Sequence, residues 1–364
     1  RRAVADQTSD SFGEQNLRSF LNLLVVLTQE YDTALMNPPY GSRGRMPEEV
    51  KTYIKEKYGY SPEYYINFFE KCDDLTREHG RIGKLVPWTF VFNRAFEDFR
   101  KDFVGSAGQF DFLAEFGYDV LDNAMVGTVG TVVRTGSGGT SEGTFIRLHD
   151  VDKEEKEDRF VEAGFSTAVI EGVQRRYRRN ILVFEQISGA PLSYWVPDEL
   201  RSLYDSETVF DADNAGTEEK KSLGDIKIGL QTGNDDRFLR QFWETTGNHW
   251  VPFAKGGVDA WILPRIKLTI NWSEEGAELK RYAGSYPRNE QFYFNEAITY
   301  NRTKRSGRRF GFLHEESIFS DAGPVLASES SPWHLLSYAN SRLVTYLMLA
   351  QTPERKWEGS YVSK

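Results

Sequence analysis

Asn37-Pro38-Pro39-Tyr40 is the stretch of this chain best suited to chemistry, and it directly follows residues 31–36, which read as a buried strand. The Asn37 side-chain oxygen and the next carbonyl, that of Pro38, can accept both N–H bonds of a planar exocyclic amine. That leaves the nitrogen lone pair exposed for methyl transfer. Pro38 and Pro39 stiffen the turn, and Tyr40 offers a ring face on which an extruded base can stack. Taken alone, the same residues also read as a rigid turn after a strand, so the rest of the chain decides between the two.

Methyl transfer from a sulfonium donor needs alignment of nucleophile, methyl and sulfur more than acid–base groups. The sequence is compatible with that. His79, His149, His249, His314 and His334 are scattered without metal-ligand spacing, no Ser/His/Asp order stands out, and no metal site is expected. Cys72 falls on an apolar helical stripe and reads as core, not as a nucleophile. Two basic clusters are candidate nucleic-acid contacts: Arg175, Arg176, Arg178 and Arg179 around Tyr177, and Arg302, Lys304, Arg305, Arg308 and Arg309 between Tyr300 and Phe310. Such groups contact phosphates, and arginine also reads guanine edges. The plainer reading is a solvated patch that balances the many acids. Residues 136–140 (Gly-Ser-Gly-Gly-Thr) do not open a helix and read as a flexible turn, not a phosphate cradle.

Several elements must position these residues. The spacing predicts a helix over 13–29 with an apolar stripe at Leu17, Phe20, Leu21, Leu24 and Leu27. A charged helix follows over 46–58. A stronger helix starts at Pro62, with Tyr65, Phe68, Phe69, Cys72 and Leu75 at helical spacing and Gly80 as its stop. Residues 81–88 read as a second strand, 93–103 as a helix, and 110–116 and 127–134 as further strands. Strands alternating with helices imply an α/β fold with an open sheet, in which ligands bind at the carboxyl ends of strands, where Asn37 lies. Asp152 to Asp158 reads as a solvated helix face, and residues 335–349 as an amphipathic helix. The composition turns polar and acidic around 205–222. The expected organisation is therefore 1–150, 151–214 as a connecting region, and 215–364.

The chain has 364 residues, 39% hydrophobic and 14% aromatic, enough for a substantial core in two domains or three. A net charge of −9 excludes a generally basic, sticky protein but leaves local basic patches free to act. One cysteine excludes an internal disulfide framework and a cysteine-rich zinc site, and a cytoplasmic location is expected. No run approaches the roughly 20 apolar residues that a membrane span needs.

Taken together, the chain resembles the adenine-specific DNA methyltransferases of the BREX phage-defence type (the PglX family), which are related to the type IIG restriction–modification methyltransferases. The residues that carry the resemblance are Asn37-Pro38-Pro39-Tyr40-Gly41, Tyr65 to Lys71, Gly83 to Trp88, Gly229 to Phe238, Ile298 to Tyr300, Asp321 to Pro324 and Ala339 to Leu343. The resemblance implies the C-terminal portion of a Rossmann-like S-adenosylmethionine-dependent methyltransferase sheet, with an α/β target-recognition domain over 215–364. It implies adenine N6 methylation of double-stranded DNA with S-adenosylmethionine as methyl donor, in phage defence or restriction–modification, with other defence-system subunits as further partners. Asn37 and Pro38 would hold the amine, and the adenine would stack on Tyr40. A second aromatic often stacks on the base; residues 123–134 hold none, which leaves Phe116 or Tyr118.

The family's glycine-rich methyl-donor loop and the acidic residue after it are not visible in residues 1–30. The chain is therefore expected to be part of a longer protein and, alone, to bind the donor weakly or not at all. Two other readings stand beside this one: a non-catalytic DNA-recognition subunit of a defence complex, and a protein-glutamine or RNA methyltransferase that uses the same amine-holding turn.

Overall fold

The strand that carries the Asn37 turn lies at the edge of a mixed six-stranded sheet, in the order β1-β2-β4-β3-β5-β8. The strands are β1 (Tyr31–Met36), β2 (Thr76–Pro87), β3 (Gly108–Gly117), β4 (Thr128–Thr135), β5 (Glu142–Arg147) and β8 (Arg176–Asn180). A small ribbon, β6 (Val169–Ile170) and β7 (Val173–Gln174), lies between β5 and β8 in the chain. β1 runs parallel to β2 and β3 parallel to β5, and β4 joins these pairs by antiparallel pairing on both sides. This computed structural model describes all residues except 1–11, 42, 61–62, 122–125, 137–141, 218, 257–261, 304–308, 329 and 353–356. Among the described residues, no helix is long and apolar enough to cross a membrane.

The chain divides into two units, Arg1–Trp195 and Val196–Lys364. The segment expected as a connecting region, 151–214, thus contributes 151–195 to the first unit and 196–214 to the second.

In the first unit, α1 (Phe12–Leu27) and α2 (Glu48–Lys57) precede α3 (Tyr64–Leu75), which packs on one face of the sheet because Tyr65, Ile66, Phe69 and Cys72 recur at helical spacing. They meet Ile82 and Val86 of β2 and a run of phenylalanines that includes Phe90, Phe99 and Phe110. Each fully buried phenylalanine contributes about 1.5–3 kcal/mol by leaving water. Cys72 is 4% exposed, as expected of a core residue. On the other face, α4 (Lys156–Phe165) places Phe160 against Phe112 and Phe116.

Several expectations are corrected. Gly80 does not stop α3: the helix ends at Leu75 and β2 starts at Thr76, and a Cβ on Gly80 would lie 2.9 Å from the Asp32 oxygen. Close strand approach, not helix termination, requires glycine there. The helix expected over 93–103 is a 3-10 turn at Arg94–Phe96 followed by a π-helical segment, Phe99–Ala107. The apolar stripe of α1 (Phe12–Leu27) is exposed, with Leu17 at 54% and Phe20 at 56%. β1 is covered on one side only: Ala34 and Met36 pack on the core, whereas Leu35 is 79% exposed. The turn expected at 136–140 lies outside the described residues beyond Gly136.

The second unit holds two four-stranded sheets. One orders Asp225–Lys227, Val325–Ala327, Ala297–Tyr300 and Phe310–Leu313, all antiparallel. The other orders Leu239–Gln241, Leu268–Asn271, Trp250–Ala254 and Ile318–Phe319. The helix expected over 335–349 is two helices, Pro332–Ala339 and Arg342–Gln351. The break has a local cause. Asn340 turns its side chain onto the Phe310 backbone, and Ser341 caps the second helix by accepting from the Val344 N–H at 3.2 Å.

Candidate functional site

β1 ends at Met36, which is in register with Lys84 of the parallel strand β2, so the Asn37 turn emerges at the carboxyl ends of both strands. Asn37 is exposed, Pro38 buried, Pro39 exposed and Tyr40 half-buried. This alternation anchors the turn through Pro38 and leaves the Asn37 amide facing out. The Tyr40 hydroxyl donates to the Leu85 carbonyl at 3.2 Å, which draws the ring over the end of β2. Partial burial pushes the Tyr40 hydroxyl above its ordinary pKa, so it stays a neutral donor. Gly41 completes the turn: a Cβ there would sit 2.8 Å from the Tyr64 ring, and the Gly41 carbonyl accepts from the Tyr64 N–H at 3.4 Å. The turn is thereby seated on the start of α3.

Beside it, the end of β2 builds an aromatic wall. The Trp88 N–H donates to the Gly127 carbonyl at 2.9 Å, and Gly127 leaves room for the indole, which a Cβ would meet at 2.5 Å. Tyr118 stands edge-on to Trp88 with ring centroids 5.4 Å apart and is 42% exposed. Phe116 points elsewhere: it covers Gly130 and packs against Phe160 at 5.5 Å. Behind Trp88, buried Glu115 accepts the Tyr194 hydroxyl at 2.6 Å, and His149 Nδ1 lies 3.6 Å from a Glu115 oxygen. Burial pushes the His149 imidazole below its ordinary pKa, outweighing the upward pull of Glu115.

Lys84 is the residue here that sequence reasoning missed. It is 4% exposed, its ammonium lies 4.2 Å over the Phe69 ring, and the Cys72 thiol is its polar neighbour. Burial pushes it down to about 7, against a partial upward pull from Cys72. The available signal was a lysine inside the otherwise apolar run 82–88, at a position whose alternation points to the α3 face.

The basic clusters do not converge on the turn. Arg175 to Arg179 lie on or beside β8, at the opposite edge of the sheet, five strand spacings or roughly 24 Å from β1. Arg175 pairs with Asp150 at 2.5 Å, Arg176 donates to the Gly164 carbonyl at 2.9 Å, and Arg179 donates to the Arg178 carbonyl at 2.9 Å. Arg178 is the exposed member. In the second unit, Arg302 forks onto Glu358 at 2.7 and 2.9 Å. Arg309 is 6% exposed, stacks 3.9 Å over Trp357 and donates to the Asn301 carbonyl at 3.1 Å. Burial pushes the Arg309 guanidinium down to about 10. Lys304, Arg305 and Arg308 lie outside the described residues. Asp211, Asp213 and Asp225 bring carboxylate oxygens within 4.8 Å of one another, but Asp211 already accepts from Asn214 and from the Ile226 N–H.

Comparison with known proteins finds relatives in both sequence and fold. The model of the family described as Eco57I restriction-modification methylase matches residues 5–119, which include the Asn37 turn and β2. The chain is 25% identical over 325 residues to the adenine-specific methyltransferase PglX of Lacticaseibacillus casei (strain Zhang), covering 81% of this chain and 26% of that protein. It is 23% identical over 370 residues to the adenine-specific methyltransferase BrxX of Escherichia coli O9:H4 (strain HS), covering 95% and 28%. The chain thus spans about a quarter of the length of these relatives. In fold, it is similar to the type IIL restriction–modification enzyme MmeI in complex with DNA, with a TM-score of 0.57, 12% identity, and 91% of this chain and 45% of that one covered. It is also similar to the DrdV–DNA complex, with a TM-score of 0.51, 11% identity, and 93% and 42% covered. The resemblance drawn from the sequence motifs therefore stands: this α/β chain is similar to the adenine-specific methyltransferases PglX and BrxX and, over its first third, to the Eco57I restriction-modification methylases.

Proposed function

We propose that the natural polypeptide carrying this chain methylates the N6 amine of adenine in double-stranded DNA, with S-adenosylmethionine as methyl donor, in phage defence or restriction–modification in the cytoplasm. The observation that carries this reading is the Asn37 turn at the carboxyl end of a parallel strand, anchored by buried Pro38 and by the Tyr40–Leu85 hydrogen bond. Asn37 and the Pro38 carbonyl take the two amine hydrogens, Pro39 holds the turn, and Tyr40 stacks on the extruded base. Tyr118, exposed beside Trp88, is the better candidate for a second stacking face than Phe116, which is committed to Gly130 and Phe160. The first unit would be the later part of a methyltransferase domain and the second a target-recognition domain. Arg178 with its neighbours Arg175, Arg176 and Arg179, and the segment from Arg302 to Arg309, would face the DNA backbone. In that segment, Arg302 is held by Glu358, and Arg309 by Trp357 and the Asn301 carbonyl.

We infer that holding the methyl donor takes more than the described residues. β1 pairs only with β2 among them, and no glycine-rich strand–turn–helix lies beside it. The same feature favours a second reading, a DNA-recognition subunit that keeps the fold without the activity. One assay separates the readings: methyl incorporation from labelled donor into duplex DNA, RNA and a glutamine peptide by the natural polypeptide. The expected result is incorporation into duplex DNA alone, abolished by Asn37→Ala with duplex binding retained. Undiminished activity of that variant would remove Asn37 from its role, and no incorporation at all would favour the recognition subunit.

A further inference from the structure

The segments Gly229 to Phe238 and Asp321 to Pro324 take no part in the amine-holding turn, yet residues of both line one open polar groove of about 300 Å³ in the second unit. The backbone there is tightly seated. A Cβ on Gly229 would lie 2.0 Å from the Phe319 oxygen, and Gly233, at φ +69°, leaves no room for one against the Gly284 carbonyl at 2.3 Å. Within the groove, Lys255 pairs with Asp235. Thr232 Oγ1 holds the Asp235 carboxylate from behind, donating to it at 2.6 Å, and Ser320 Oγ fixes the backbone that carries Lys255 by donating to its carbonyl at 2.6 Å. Lys255 and Asp235 are also open in front, with side chains 41% and 44% exposed. Partial burial pushes the Asp235 carboxyl up, but the bonds from Lys255 and Thr232 outweigh it and hold the group below its ordinary range.

A phosphate is a poor occupant. Asp235 already neutralises Lys255, and Asp321 adds a second carboxylate to the lining. The major-groove edge of a G·C pair is a better one, because it presents the N7 and O6 acceptors of guanine beside the N4 donor of cytosine. A lysine held next to a carboxylate is the complement of that pattern. We propose that the Lys255–Asp235 pair reads one G·C base pair of the target duplex, the lysine on guanine and the carboxylate on the cytosine amine. This rests on the reading of the chain as a binder of duplex DNA.

The test is selection of duplexes from a randomised library by the 364-residue chain, by Asp235→Asn and by Lys255→Gln, with affinity measured at several salt concentrations. The wild type should select a motif with an invariant G·C position. Both variants should lose discrimination there by roughly tenfold to a hundredfold, while other positions and the salt slope stay unchanged. Lys255→Gln should move the preference toward A·T, because an amide pairs with adenine. An unchanged motif in both variants overturns the inference and leaves DNA binding standing. So does a uniform loss of affinity with a shallower salt slope, which marks a phosphate contact. A wild-type chain that binds no duplex overturns the underlying reading as well.

Discussion

Lys84 shows what a single buried charge does to this fold. Its ammonium sits over the Phe69 ring in the α3–β2 core with the Cys72 thiol as its polar neighbour, and burial lowers its pKa from 10.5 to about 7. The unfolded chain keeps this proton up to about pH 10.4, whereas the folded chain releases it near 7. Between these values the unfolded state binds more protons, so stability rises with pH across the window and is lowest below it. The full cost of holding the charged form is on the order of several kcal/mol. Lys84→Met, which keeps length and removes the charge, is expected to raise the denaturant midpoint at pH 7 and to flatten its rise toward pH 10. Equal midpoints for variant and wild type across that range would show that the lysine is solvated.

At the scale of elements, β1 and α1 decide how the chain behaves in solution. β1 pairs on one side only among the described residues, Leu35 is 79% exposed, and the stripe of α1 is open. An edge of this kind is a template for pairing with another chain. The isolated 364-residue chain is therefore expected to self-associate and to bind a hydrophobic dye, and Leu35→Lys is expected to reduce both while leaving the secondary structure intact. Sedimentation checks this, and a wild-type chain that stays monomeric and binds no dye sinks the idea. The same two elements show where sequence reading stops. Their type and limits were legible from apolar spacing, as were the strands on either side of residue 120 and the existence of α3, though not its end. Their exposure was not, because periodicity names an apolar face without saying what covers it. β8 was hidden for a different reason: its Arg176-Tyr177-Arg178-Arg179 reads as surface charge, yet Arg176 donates to the Gly164 carbonyl and the strand closes the sheet against β5. At the site, the Asn37 turn was legible because its chemistry is local. Lys84 was not, because strand register alone brings it beside Met36.

For the whole molecule, the proposed function separates substrate holding from donor holding. Methyl donors of this class bind across the carboxyl ends of parallel strands, with a glycine-rich turn at a helix N-terminus and an acid for the ribose. Among the described residues, β1 meets only β2, and β1 leads into a proline turn suited to an amine, not into a phosphate or ribose cradle. The proposed DNA contacts, in contrast, would rest on basic clusters that lie within this chain, despite a net charge of −9. The expected behaviour of the 364-residue chain is therefore asymmetric. Calorimetry should show no measurable heat with S-adenosylmethionine, while duplex DNA binds with modest affinity. If Arg178, Lys304, Arg305 and Arg308 are the phosphate contacts, log K should fall against log salt with a slope of roughly −3 to −4, about −0.9 for each contact. Micromolar donor binding by this chain would mean that residues 1–30 or the open β1 edge supply a donor site of another design. A slope near zero would mean that the basic clusters are surface charge and that recognition rests on base edges alone.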